Sequence, residues 1–193
     1  MYYCAMQTQN MSELNAYRNL LVHARLKKSE ELFSNSSDEH TISAITEVLN
    51  NQPNSDICDV INKDDDKKSE ISKLVIVTRS FNSKIWNELY YKIQEILERK
   101  IVDSIYIFLK ENIESPKYKN LFSEYIERND ANINIYKIQD VVAPNFIMLG
   151  RAVWLRKDKY SATISFNNML IYEYVNSIFS ILINHSKNMN KLL

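Results

Sequence analysis

Residues 144–168 read PNFIMLGRAVWLRKDKYSATISFNN, and this stretch decides the architecture. After Asn145 the chain is apolar as far as Leu149, and Gly150-Arg151 then supplies a two-residue connection. Glycine at the first central position suits a type II′ hairpin turn, because that position needs a positive φ. Gly150 is the single glycine of the chain, so its place between two apolar runs is itself a turn signal. Residues 152–156 form the return strand and Asp158-Lys159 a second turn. Residues 161–166 then alternate small polar residues with Ala162, Ile164 and Phe166. Three strands running up and down are therefore expected, closed by Ser165-Phe166-Asn167-Asn168 at the start of a long helix over 168–187.

Working outward, residues 73–78 contain Leu74-Val75-Ile76-Val77, a β-branched run of the kind covered on both faces of a sheet. Ile85, Leu89, Ile93, Ile96 and Leu97 trace a helical face as far as Lys100. The unit repeats. Residues 104–109 (SIYIFL) are a second buried strand, and Ser115-Pro116 is an N-cap followed by proline at the first helical position. Tyr118, Leu121, Phe122, Tyr125 and Ile126 make the next helical face, and residues 132–138 alternate as a strand nearer an edge. Strand, helix, strand, helix, strand implies parallel pairing. The predicted fold class is α/β: a mixed sheet of parallel β-α-β units, an antiparallel hairpin set and a C-terminal helix.

Upstream, residues 12–33 have helix logic, with Ser12 as N-cap and Leu14, Tyr17, Leu21 and Ala24 recurring at helical steps. Ser36-x-x-Glu39 is a capping-box pattern that opens a second helix carrying Ile42, Ile45, Val48 and Leu49. Residues 12–61 are thus expected as an N-terminal helical segment packed on the core, with a short strand over 56–61 that holds Cys58. Residues 62–72 include NKDDDKKSE, a charged loop. The core is expected over 73–187 and a polar tail over 188–193. Residues 1–11, MYYCAMQTQNM, read as a disordered or non-native start, with Met11 as the alternative initiator.

The chain has 193 residues, 45% of them hydrophobic and 25% charged, which suits one globular domain. Twenty-four basic residues balance 24 acidic ones, so no overall field draws the chain to nucleic acid or an anionic membrane, and only a local patch could. No apolar run approaches the ~20 residues of a membrane helix, and no signal peptide is visible, so the expected location is the cytoplasm. Cys4 and Cys58 are too few and too far apart for a disulfide scaffold. His23, His40 and His185 fall on three different predicted helices, without the spacing of a zinc site. One glycine cannot build a phosphate cradle, which excludes both the P-loop and the GxGxxG turn. No metal and no cofactor is expected.

The order of elements, with these residues in place, resembles the phospholipase D superfamily, or HKD fold. In that family a parallel β-α-β sheet leads to a strand bearing H-x-K-x-x-x-x-D, and a small Ser/Asn element begins a helix. The best placement here puts Ala143 at the histidine position, Asn145 at the lysine and Gly150 at the aspartate. Ser165-Phe166-Asn167-Asn168 is similar to the trailing element, with an extra strand over 152–157 to account for its distance. The resemblance covers roughly residues 74–179. It implies that phosphodiester cleavage by the family's route is lost, since alanine has no nucleophile and asparagine no charge. It also implies a homodimer, because single-motif members of the family commonly pair.

Candidate contacts lie at the carboxyl ends of the parallel strands, where such sheets bind ligands. These are Arg79, Ser80 and Asn82 after the first strand and Lys110, Glu111 and Asn112 after the second. Asn145, Asn167 and Asn168 either line a former active site or, as asparagine more often does, cap strands and the last helix. Arg151, Arg156, Lys157 and Lys159 with Trp154 and Tyr160 make a basic, aromatic hairpin suited to stacking on bases, or else a solvated edge. Phe81, Trp86, Tyr90 and Tyr91 read as core packing, and His40 as a surface histidine near a helix start.

The function these readings favour is a non-catalytic phospholipase D-like subunit that binds a protein partner from a neighbouring gene. A composition heavy in Asn, Ile, Lys and Tyr suggests a bacterial anti-phage or plasmid-maintenance system as its setting. The alternatives are a nucleic-acid-binding accessory protein, or a nuclease whose site is completed by His40 or by a partner chain.

Overall fold

The structure, a computed structural model, describes residues 2–35, 37–51, 73–128, 132–138, 142–158 and 161–186. The strand expected around Cys58, the charged loop, the side chain of Cys4, Lys159, Tyr160 and the terminal tail lie outside the described residues.

Twelve elements are described in chain order: α1 (Tyr2–Leu26), β1 (Phe33–Asn35), α2 (Asp38–Leu49), β2 (Lys73–Thr78), α3 (Lys84–Glu98), β3 (Ser104–Leu109), α4 (Pro116–Glu127), β4 (Asn132–Lys137), β5 (Phe146–Leu149), β6 (Ala152–Arg156), β7 (Ala162–Ser165) and α5 (Met169–Ser186). The fold is mixed α/β, as the sequence predicts. Seven strands form one sheet in the order β1-β7-β6-β5-β2-β3-β4. β2, β3 and β4 are parallel, with Leu74 beside Ile105 and Ile105 beside Ile133. β5 runs antiparallel to β2, with Val77 beside Phe146, and β6 and β7 continue antiparallel.

Strand alternation sorts the core into two layers. Leu74, Ile76, Ile105, Ile107, Ile147 and Trp154 point to a face covered by α2, α3 and α4, and α1 docks on α2. Arg25 Nε reaches Glu47 Oε2 at 2.8 Å and Arg18 Nε donates to Ser43 Oγ at 3.1 Å, which fixes α1 in register on α2. Val75, Val77, Phe108, Phe146, Met148 and Val153 point the other way, onto α5.

Gly150 has φ +55° and Arg151 is not among the described residues with positive φ, as the type II′ reading requires. Leu149 and Ala152 pair directly across it.

The structure corrects the N-terminal segment at four points. α1 includes residues 2–11 and passes through Ser12, because Ala5, Met6, Gln7 and Gln9 favour helix and nothing there breaks one. It stops at Leu26, short of Phe33, where Ser29 N bonds Ala24 O at 2.9 Å and Lys28 N bonds Arg25 O at 3.1 Å, with Lys28 at φ +49°. That is a Schellman ending. Phe33 then enters an unexpected strand, paired with Ile164 of β7. Finally, the cap of α2 is Ser37, one residue past the expected position, and its Oγ accepts from His40 N at 3.1 Å.

Candidate functional site

The sheet has two ends, and the register assigns each candidate residue to one of them. At the carboxyl end of β2 and β3 lie Arg79, Asn82, Lys110, Glu111 and Asn112. Because β5 runs antiparallel, its start at Asn145 lies at this end, as do Arg156 and Lys157 after β6. Gly150, Arg151, Asn167 and Asn168 lie at the opposite end: Ser165 is level with Val153, Met148 and Val75. Asn145 therefore does not line one former active site together with Asn167 and Asn168. Each antiparallel strand reverses the chain, and β7 carries residues 165–168 a full strand length from where β6 ends.

At that opposite end Asn168 acts as a cap. Its Oδ1 accepts from Ile171 N at 3.3 Å, its own N–H donates to Ser165 Oγ at 3.0 Å, and its Nδ2 donates to Glu30 O at 3.0 Å. The basic, aromatic hairpin also comes apart. Trp154 is buried in the core, and Arg151 is separated from Arg156 and Lys157 by the length of β6.

The carboxyl end is stitched together by side chains from successive loops. Arg79 Nε meets Glu111 Oε1 at 2.5 Å, Asn82 Nδ2 donates to Glu114 Oε2 at 3.2 Å and Lys137 Nζ donates to Asn112 Oδ1 at 2.9 Å. Lys110 Nζ donates to Ala143 O at 2.9 Å, which ties the loop after β3 to the segment entering β5. Asn145 O accepts from Arg156 N at 2.9 Å. These contacts are largely exposed and add little to stability. Their effect is to hold charges in place.

Beneath them lies a buried support. Trp86 Nε1 donates to Thr78 Oγ1 at 3.1 Å, and Tyr118 OH donates to Trp86 O at 2.6 Å. Phe81 stacks on Tyr118 with centroids 4.4 Å apart. Burial, with Tyr90 adding to it, pushes the Tyr118 phenol far above its ordinary range, so it stays a donor. α3, α4 and β2 are thereby locked where their loops meet. Phe81 and Trp86 are core residues, as expected, whereas Tyr91 is exposed.

The electrostatics follow from this placement. Among the described residues at this end, Arg79, Lys84, Lys110, Lys117, Lys119, Lys137, Arg156 and Lys157 stand with six carboxylates, Glu13, Asp38, Glu39, Glu111, Glu114 and Asp158; Glu13 comes here because α1 runs antiparallel to α2, with Tyr17 level with His40. The first turns of α3 and α4 hold no acid, and Ser83 and Ser115 make no side-chain cap bond. The positive ends of both helix dipoles thus add to the local field. Sequence reading missed Lys84, Lys117, Lys119 and Lys137 as contributors. Proline at the start of α4 and the strand–helix alternation were the signals that could have placed the lysines of both helices there.

His40 also lies at this end, in the first turn of α2, with its ring centroid 4.4 Å from that of Tyr17. Among the described residues no group of three or more His, Cys, Asp or Glu is arranged to hold a metal ion. No described helix is long and apolar enough to cross a membrane.

No family model and no curated protein matches the chain. A fold likeness is found instead. The chain is similar to a solved structure of TrmBL2, an archaeal chromatin protein described as showing a novel mode of DNA binding, at 10% identity and a TM-score of 0.54. The match covers 93% of this chain and 64% of that one, so the chain spans less than two thirds of that structure's length. At this identity the likeness is one of fold.

Proposed function

We propose that the chain is a non-catalytic binding module on a phospholipase D-like sheet, and that the carboxyl end of β2 and β3 takes the phosphate backbone of nucleic acid. The observation that carries this is the excess of cations gathered there in a chain with no net charge. A neutral protein has no general attraction for a polyanion, so a local surplus fixed by a stitched loop set is what gives a binding direction. The DNA binding described for TrmBL2 is in keeping with this reading, as is the order of parallel and antiparallel strands.

The non-catalytic part rests on residue chemistry. Ala143 offers a buried methyl group where the family's motif would have histidine, and Asn145 a neutral carboxamide for lysine. Gly150, at the far end of β5, offers no carboxylate where the family's motif would have aspartate. Backbone contacts would position a duplex without reading its sequence.

Anisotropy of a short labelled DNA duplex, titrated with the protein at several salt concentrations, tests the reading. Binding should weaken steeply with salt, and Lys157→Ala and Lys137→Ala should each lower the slope of log affinity against log salt by about 1. No binding at low salt would end it.

A further inference from the structure

Residues 142–145 read Val-Ala-Pro-Asn and lead into β5. Val142 is 98% exposed, more than any other large apolar side chain among the described residues, while Ala143 beside it is 3% exposed. A single exposed apolar residue is ordinary on a protein surface, and its position is what gives this one meaning. β4 and β5 are separated in the sheet by β3 and β2, so the chain that leaves β4 reaches β5 by crossing the carboxyl ends of both.

Described residues on either side of Val142 are tied down. Ile138 N donates to Leu109 O at 2.7 Å, Lys110 Nζ to Ala143 O at 2.9 Å and Arg156 N to Asn145 O at 2.9 Å. The segment is stiff as well: Pro144 fixes its own φ and disfavours helical backbone at Ala143, and the branched side chain of Val142 has few rotamers. Cations line up along the same end. Arg156 closes β6, Arg79 follows β2, Lys110 follows β3 and Lys137 closes β4. From β6 to β4 is four strand spacings, about 19 Å. Val142 adjoins the carbonyl that Lys110 holds, so it stands within this row and not at its margin.

We propose that Val142 is a wedge: with the phosphate backbone held by these cations, its side chain enters a base step of the duplex and parts the two bases. The inference rests on the nucleic-acid reading above and adds a preference to it. Apolar side chains that enter a duplex from the minor groove part base steps in this way and bend the helix. Opening a stacked step is unfavourable, and least so at a flexible pyrimidine–purine step or where the pairing is already faulty. The ligand class is therefore duplex with a weakened step, such as a mismatched pair, over duplex that is paired throughout. An anionic membrane carries the same charge, but a single valine buries far too little apolar surface to anchor a protein there.

Two labelled duplexes of one length test it, identical except for a central mismatched pair, each with 2-aminopurine beside the centre. The full chain should bind the mismatched duplex about tenfold more tightly, the effect of burying one branched apolar side chain. Fluorescence of 2-aminopurine should rise on binding to either. Val142→Ser should remove both the preference and the rise, yet bind the paired duplex within about twofold of wild type, because Lys137 and Lys157 still meet the phosphates. An unchanged melting temperature shows that the loss is not one of folding, and Val142→Phe should strengthen the preference. Binding without a fluorescence rise, or a preference that survives Val142→Ser, overturns the wedge and leaves the nucleic-acid reading standing. Absence of binding to either duplex at low salt ends that reading, and the wedge with it. Flotation of the wild-type chain with phosphatidylserine vesicles, lost in Val142→Ser and unaccompanied by any parting of bases, would assign the tip to a membrane and overturn the proposal.

Discussion

Lys28 and Lys100 occupy left-handed backbone positions, at φ +49° and +50°, where helices usually end on glycine. In both, the residue that follows bonds back across the last turn: Ser29 N to Ala24 O at 2.9 Å and Ile101 N to Ile96 O at 3.3 Å. Replacing Lys100 by glycine should therefore stabilise the protein by about 1 kcal/mol in urea unfolding. Gly150→Ala should cost about as much, and only through the backbone, since an added Cβ there has nothing within 4 Å. Tyr17 is a second residue whose role is readable. Its hydroxyl is buried without a partner among the described residues, and burial pushes its pKa from 10.0 up to about 12. A group that ionises less readily in the folded state gives its full stabilisation below pH 10 and loses it as pH rises toward 12. Melting temperature should fall across that interval. Tyr17→Phe should flatten the fall and raise stability at neutral pH by about 1 kcal/mol. At this scale the sequence announced the Gly150 turn, because one glycine in a glycine-poor chain has few other uses. It could not separate Ser36 from Ser37 as a cap, since adjacent serines carry the same hydroxyl and only the geometry by which the chain enters the helix chooses between them.

Among the elements, those with a strong apolar period were legible: β2, β3, α3 and α4 lie within a residue or two of where their patterns place them. β1 was not. Three residues, Phe33-Ser34-Asn35, carry no period, and they become a strand only because β7 offers a free edge. The asparagines after β7 show how an element's direction decides a residue's meaning. Asn168 was a candidate contact, yet the reversal at β7 puts it at the start of α5, where it satisfies Ile171 N and holds the α1–β1 connection through Glu30 O. Asn168→Ala should lower stability by about 1 kcal/mol, the usual cost of a lost cap, and leave DNA affinity at any given salt unchanged. Denaturant unfolding beside the anisotropy titration separates the two effects. A loss of affinity without a loss of stability would return Asn168 to the binding surface.

For the molecule as a whole, the even balance of basic and acidic residues conceals an uneven distribution. Neither the count nor the linear order reveals it. The gathering of Lys84, Lys110, Lys117 and Lys137 depends on parallel strands whose connecting helices all start from the same end. Element order was readable in the sequence, so the end of the sheet to inspect was too. Which charges would stand there depended on loop contacts such as Lys110 Nζ with Ala143 O, joined by residues 33 positions apart. The N-terminal helices were likewise harder to place. They read as an appendage, whereas α2 buries Ala44, Ile45, Val48 and Leu49 as fully as any strand. The sheet therefore extends to Phe33 and does not begin at Lys73.

The pairing of Phe33 with Ile164 also has a consequence for synthesis. At ~5–20 residues per second, the ribosome delivers the partner of the first strand on the order of 10 s after the strand itself. Throughout that delay α2 has no sheet to lie on. The nascent chain must be kept from sticking to its neighbours until β7 has been made.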